Sequence, residues 1–600
     1  MVLPTRAQRR FSVVVAQDGD GDYNGSTVST INAAIASVDG TGGGEIIVTA
    51  GTYDADAALT NTTKNNVTLR GTGNSTKIKI PDSTTDNFNM FNVTGVSNFK
   101  ILDIEFDGNH QNNTNDGHGL YLNQITGLTI QNCTIKNNRW AGIHVLESTD
   151  VKIIGNTITD SDENSGIVAG YDSQDVIISN NFVSTLPGAN GNGIFIISDA
   201  TDVGENARIA INDNVIYDVY DTCIEVGHSG TGNKQVTISG NVCVSDGLNG
   251  ILLRRTDDCT VTGNYVYNGS GQCIICNAES TGRSNLVITG NNCVGDTGNQ
   301  NRVIQISDYS NLTVSNNQLT NGNGFRYSSA VARDNISISD NTVVQPDEYG
   351  IYVDATLGLT NLKINRNTIS PGSAGDYGGI YVFGDAGSII NRYECNDNIV
   401  NGFTLAGIDL RFATNGTCNG NTSVGNTLQG ITFNTVTYST IMGNNASTND
   451  DDGIELTSST HINVSSNTVN GITGAWADGI KVNSTCNNIN VNNNNVSECG
   501  YYGILIASDF FTCNGNVCMN NGHNNTAAGI KIDDNCTNGT VIGNTCHDDQ
   551  GTKTQNYGVQ ISGTATDRIM VTNNMLFENS TGGLNGTGGA NGLTQDNITS

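Results

Sequence analysis

Six residues in the second half of the chain have the types and spacing to hold a sugar: Tyr352, Asp354, Tyr381, Asp385, Asp409 and Arg411. Aromatic faces stack on pyranose rings, carboxylates accept hydroxyl hydrogen bonds or serve as acid and base, and an arginine pairs with an acidic sugar. Asp385 and Asp409, with Arg411, are therefore the catalytic candidates, on the condition that the two carboxyl groups lie ~5 to 9.5 Å apart. A smaller group, Glu225 with Arg254, is a second carbohydrate-binding candidate, bordered by His228, Arg255, Asp257 and Asp258.

What puts these side chains near one another is a repeat. Seventeen asparagines from Asn156 to Asn574 recur about every 26 residues, each set between aliphatic residues as in Ile153-Ile154-Gly155-Asn156-Thr157-Ile158. A period of that length marks a solenoid or array. Between the asparagines runs a second signature, Gly-Ile-x-aliphatic, as in Gly142-Ile143-His144-Val145, Gly350-Ile351-Tyr352-Val353 and Gly407-Ile408-Asp409-Leu410. Each is a short strand whose alternate side chains face in and out. The third residue of the signature faces outward, and stacked coils bring successive ones ~4.8 Å apart. Only five prolines interrupt 600 residues, so ladders run unbroken.

The expected fold is all-β, a parallel β-helix solenoid of about twenty coils in which each coil bonds to those above and below. The repeated asparagine is expected to take the left-handed backbone of a tight turn and to bond its counterpart one coil away. Near the start, Val28, Ile31, Ala34, Ile35 and Val38 have helical spacing, which predicts a short helix capping the open end. The reading divides the chain into a leader or attachment peptide (1–12), cap and first coils (13–110), repeats (111–577) and a Gly/Asn-rich tail (578–600).

The string Val15-Ala16-Gln17-Asp18-Gly19-Asp20-Gly21-Asp22-Tyr23, the helix after it, Ala50-Gly51-Thr52-Tyr53 and Phe106-Asp107-Gly108-Asn109 resemble the pectin lyase-like superfamily of right-handed β-helices. That resemblance spans roughly the whole chain and implies right-handed coils. The superfamily holds polysaccharide lyases, hydrolases, epimerases and phage tailspikes, so it leaves the reaction open. Gly117-His118-Gly119 matches part of a polygalacturonase motif, but the paired-aspartate and Arg-x-Lys strands that accompany it there are absent, and His118 reads as a turn residue.

A net charge of −30 argues against nucleic acid and anionic membranes as partners, and no stretch approaches the ~20 apolar residues of a span. With no signal-peptide core in the opening residues, the reading is a virion surface or extracellular protein, tailspike- or fibre-like, that binds host or matrix glycans. A homo-oligomer, a trimer by the tailspike resemblance, or attachment to other surface proteins is expected. A secreted lyase, hydrolase or epimerase and a cell-surface adhesin are the alternatives. No cofactor is expected except Ca²⁺, for which Asp18, Asp20 and Asp22 copy the spacing of half an EF-hand loop, with Ser29 where the closing glutamate belongs. Asp450-Asp451-Asp452 reads as a surface loop. Of fifteen cysteines, two pairs share a column in consecutive coils, Cys395 with Cys418 and Cys518 with Cys546, and are the disulfide candidates.

Overall fold

The computed structural model describes residues 12–38, 42–188, 191–198, 206–227, 232–278, 282–296, 301–372, 377–563 and 566–599. The chain forms two units, residues 1–296 and 297–600. Both are parallel β-solenoid, with about twenty coils in the whole chain. The α-helix, Val28–Ser37, buries Val28, Ile31, Ala34 and Ile35, the stripe that its spacing predicts. Among the described residues no helix is long and apolar enough to cross a membrane.

Each coil is built from short strands separated by single left-handed residues. In the first unit the strand Thr149–Ile154 pairs in parallel with Gln174–Ser179, and Thr157–Thr159 with Phe182–Leu186. The corner between consecutive strands is a residue at positive φ just before the repeat asparagine: Gly155 (φ 67), Asn180 (56) and Asp213 (55) in the first unit, Asp397 (56), Gly420 (66) and Gly443 (68) in the second. The asparagine itself is not left-handed, which corrects the expectation above. Its role is the ladder. Asn156 Nδ2 donates to Asn181 Oδ1 at 3.0 Å and Asn181 Nδ2 to Asn214 Oδ1 at 2.9 Å. Each oxygen also accepts a backbone amide of the coil before it, as in Asn156 N to Asn181 Oδ1 at 3.0 Å. The side chain thus satisfies main-chain groups stranded at the corner, which burial would otherwise penalise.

The signature glycine has a packing cause. A Cβ on Gly379 would stand 2.0 Å from Val400 Cγ1, and one on Gly453 2.4 Å from Val469 Cγ1. The coil closes so tightly that this strand's entry touches an inward side chain of the facing wall. The core between is Ile, Val, Leu and Cys at almost no exposure.

All fifteen cysteines are buried free thiols, the four disulfide candidates included. Cys518 and Cys546 are register partners. Side chains on a parallel ladder point the same way, so their Cβ atoms keep the ~4.8 Å strand spacing, wider than the ~3.8 Å mean of a disulfide. Burial pushes the Cys518 thiol up, and a hydrogen bond with Cys395, then burial, does the same to Cys418. Neither is poised as a thiolate.

At the other end of the repeats, the described residues from 582 to 597 continue the coils rather than forming a tail outside them. Gly582–Asn585 pairs with Tyr557–Ile561, and Asn574 Nδ2 donates to Asn597 Oδ1 at 2.8 Å, which adds a rung to the ladder.

Candidate functional site: an aromatic and cationic groove

The outward column of the second unit's signature strands is in unbroken register from Gln305: Arg326, Tyr352, Tyr381, Asp409, Thr432, Glu455 and Lys481 follow one per coil. A parallel column, two residues further along each strand, carries Ser328, Asp354, Phe383 and Arg411. The Tyr352 and Tyr381 rings stack with centroids 5.4 Å apart, and the Phe383 ring lies nearly parallel to that of Tyr381 at 6.2 Å. Tyr349, just before a signature glycine, packs against both tyrosines, at 5.3 and 5.1 Å.

Two adjoining hollows share Tyr349 and Tyr381. One, about 300 Å³, is lined by Arg302, Asn323, Phe325, Arg326, Glu348 and Tyr352. The other, about 290 Å³, includes Asp409, Arg411, Gln429, Thr432, Asn434 and Glu455. Together they make a groove with a tyrosine floor and cations on both sides. The Arg326 guanidinium lies over Tyr352 and that of Arg411 over Tyr381, each 5.1 Å from the ring centre. Arg302 has no ion-pair partner among the described residues, and burial, with Arg326 beside it, lowers its pKa. Arg326 reaches Asp354 only at 4.0 Å.

Asp409 is buried at 6 % exposure and gripped by Arg411, whose Nη2 is 2.7 Å from Oδ2 and whose Nε is 3.0 Å from both oxygens. Burial nevertheless raises its carboxyl above the ordinary value, with Arg411 opposing.

Of the six residues singled out in the sequence, the groove face therefore gathers Tyr352, Asp354, Tyr381, Asp409 and Arg411. Asp385 is elsewhere, exposed in a tight turn with Ser388, its Oδ1 accepting the Ala386 amide at 2.5 Å. The alternation that places Tyr381 outward ends at Phe383, so extending it to Asp385 ran past the end of the strand. Arg302, Arg326, Glu348 and Tyr349 were missed. Arg326 belongs to the strand Gly324-Phe325-Arg326-Tyr327, which lacks the isoleucine of the signature, and Tyr349 occupies the position before the glycine, a second outward position the pattern could have flagged.

In the first unit, Glu225 and Arg254 pair with each other at 3.2 Å, and Asn192 donates to Glu225 at 3.0 Å. Glu225 is buried, and burial raises its pKa. Asp257 instead pairs with Arg283 at 2.8 Å, and His228 lies outside the described residues. His118 sits against Tyr121, Trp140 and His144, with Nε2 3.1 Å from His144 Nδ1; burial pushes the two imidazoles down to about 4 and about 3, so both are neutral at pH 7. In the Asp18, Asp20 and Asp22 turn, Asp22 Oδ2 accepts the Val14 amide at 2.8 Å and Asp18 Oδ1 that of Asp20 at 3.2 Å. Among the described residues no three or more His, Cys, Asp or Glu side chains are grouped to hold a metal ion.

Asp452 departs from the surface-loop expectation. It is fully buried, accepts the Asp478 amide at 2.7 Å and pairs with Lys481 at 3.0 Å. Burial outweighs the lysine and pushes its carboxyl up to about 6 from 3.8. The folded state holds that proton more tightly than the unfolded chain, so the stability it contributes is full below pH ~4 and is lost as pH rises through about 6. Protection of the Asp478 amide from exchange is expected to weaken across that window by about 2–3 kcal/mol. Asp452→Asn should flatten the dependence; an unchanged slope in that variant would assign it to another group.

A solenoid bearing an open groove of stacked tyrosines and cations is the class that fold and site define. The family model for the right handed beta helix region matches residues 59–209, 192–369 and 357–517, and the chain belongs to that family. No curated protein sequence matches it. Similar solved structures include PfbA, a surface adhesin of Streptococcus pneumoniae, at 14% identity and TM-score 0.42 over 55% of this chain and 89% of the other. An alginate lyase of the PL6 group, solved with a trisaccharide, gives 15%, 0.40, 59% and 86%. The tailspike gp61 of Pseudomonas phage phi297 gives 13%, 0.39, 56% and 73%. Likeness of this degree carries no argument about what this chain binds or does.

Proposed function

We propose that the protein is a glycan-binding β-helix, of an extracellular or virion surface, whose second unit holds an acidic polysaccharide along the Tyr349–Tyr352–Tyr381 groove. The observation that carries this reading is the stacked tyrosine floor beside Arg302, a half-buried cation with no carboxylate in ion-pair contact among the described residues and only Glu348 acting on its charge from farther off. Ring faces suit the apolar faces of pyranoses, and a half-buried guanidinium beside another favours an anion that neutralises both.

Binding is favoured over cleavage because both Asp409 oxygens are occupied by Arg411. A general acid must reach the leaving oxygen with a free proton. Asp385, the other half of the acid–base pair, is on a turn away from the groove lining.

Calorimetric titration with oligomers of galacturonate, guluronate and mannuronate, against neutral dextran and cellulose oligomers, tests this. Binding of at least one acidic oligomer is expected, weakening as salt rises and losing the groove's share of the heat in Tyr381→Ala, with no shortening of the polymer. Equal binding of neutral oligomers, or no binding by any, would overturn it.

A further inference from the structure

Beyond the groove, the same outward column continues through Leu505 to Lys531 and Gln560. Its two lysines are in opposite circumstances. Lys481 is neutralised by Asp452 at 3.0 Å. Lys531 is only 5 % exposed, yet among the described residues no carboxylate is within ion-pair distance; Asp533 and Asp534 act on its charge only from farther away. Burying an ammonium group without an anion in direct contact is costly, and a protein that keeps one leaves a place for a contacting anion to come from outside.

The surroundings of Lys531 are aromatic. Its Nζ lies 5.9 Å from the centre of the Tyr502 ring. Tyr502 packs on Tyr501 at 4.0 Å, their hydroxyls 3.0 Å apart, and Tyr501 meets Trp476 edge to face at 5.1 Å. Trp476 is 69 % exposed, the most exposed large hydrophobic side chain among the described residues. An indole left in water on a flexible loop would need no explanation, but this one is fastened. Asn524 Nδ2 donates to the Thr473 carbonyl at 2.6 Å, Asn525 Nδ2 to that of Ala475, and the Tyr501 amide to that of Ala477 at 3.0 Å. Three bonds from later coils hold the segment that carries the indole, which is preorganisation of a contact surface.

We propose that Trp476, Tyr501, Tyr502 and Lys531 form a second, separate site for a carboxylated pyranose, the indole and phenol rings taking the sugar face and Lys531 its carboxylate. Burial lowers the Lys531 pKa, with Asp533 and Asp534 opposing from beyond contact distance. The proposal stands on its own residues and shares only the ligand class with the groove.

The chain has two tryptophans, Trp140 and Trp476, so Trp140→Phe leaves Trp476 as the sole indole reporter. In that background, emission is followed against glucuronate, galacturonate, mannuronate and sialate, with glucose and galactose as neutral counterparts. A saturable change with at least one acidic sugar and none with the neutral pair is expected. Lys531→Met should weaken it about tenfold or more, and Lys531→Arg should restore part of it. Tyr381→Ala, which empties the groove of its central ring, should leave it unchanged. No response to any acidic sugar, or a response that survives Lys531→Met, overturns the proposal. So does a Lys531→Met variant that gains stability while the parent shows no response, since the lysine would then be a buried charge with no ligand. Loss of groove binding in Tyr381→Ala with an intact Trp476 response separates the two sites.

Discussion

Asn421→Ala is expected to cost about 3–6 kcal/mol and to open the second unit locally. Asn421 is 1 % exposed, and its Oδ1 accepts both Asn398 N at 2.9 Å and Asn398 Nδ2 at 3.0 Å, while its Nδ2 donates to the Cys395 carbonyl at 2.8 Å. Alanine leaves the Asn398 amide and the Cys395 carbonyl buried without those bonds, at about 1–3 kcal/mol each before relaxation, and takes one of two partners from Asn398 Nδ2, which keeps the Ile364 carbonyl, and from Asn444 Oδ1, which keeps the Asn421 amide. It also interrupts a ladder whose neighbouring rungs polarise one another. Because stacked repeats open piecemeal, a single melting temperature is the wrong readout. Amide exchange across residues 395–421 is the right one, compared with a distant stretch such as 541–574. A loss of protection below about 1 kcal/mol at Asn398 would mean that the ladder is an accompaniment of the coil rather than a support for it. Asn421→Asp keeps the acceptor for Asn398 but loses the donors to the Cys395 carbonyl and to Asn444 Oδ1, where it sets oxygen against oxygen, so it too is expected to lose protection.

The second large effect is on binding. Replacing both Arg302 and Arg326 by alanine is expected to lower affinity for an acidic oligosaccharide about a hundredfold or more, since a hydrogen bond to a charged group contributes about 1.5–3 kcal/mol. Neither arginine supports the fold through a close ion pair, because Arg302 has none among the described residues and Arg326 meets Asp354 only at 4.0 Å. The double variant should therefore keep the strand signature of the parent. The contrast is Arg411→Ala, which strands the buried Asp409 carboxylate and is expected to lose stability along with binding. A double variant that binds the acidic ligand undiminished would move the anion contact to the Arg411 side of the groove. The salt dependence of binding should also become shallower in the double variant.

The sequence shows the coil because the coil is a one-dimensional object. The repeat asparagines, the inward aliphatics around them and the Gly-Ile-x-aliphatic strands are each set by alternation within a strand and by stacking on the next coil, both local rules. The same rules put Tyr352, Tyr381 and Asp409 on one outward column, and that column is what the structure has. The capping helix was equally legible, since a stripe at Val28, Ile31, Ala34 and Ile35 has one period and one way to be buried.

What the pattern could not supply lies where the chain leaves the strands. Asp385 and Arg411 are both near strand ends, yet one turns away with Ser388 and the other folds back over Tyr381. The residues before the signature glycine, Tyr349 and Tyr502 among them, reach the outward face by loop paths whose length differs from coil to coil. Asp452 shows the same limit from the inside: three aspartates in a row look solvated, but the third is drawn under the next coil to accept the Asp478 amide. The seventeen-fold repeat and its outward column were thus determined by sequence, because period and alternation repeat identically in each coil. Which cations lack a carboxylate in contact, Arg302 and Lys531 here among the described residues, was decided only in the tertiary structure, because ion pairing depends on the loop geometry between coils, which no periodicity encodes.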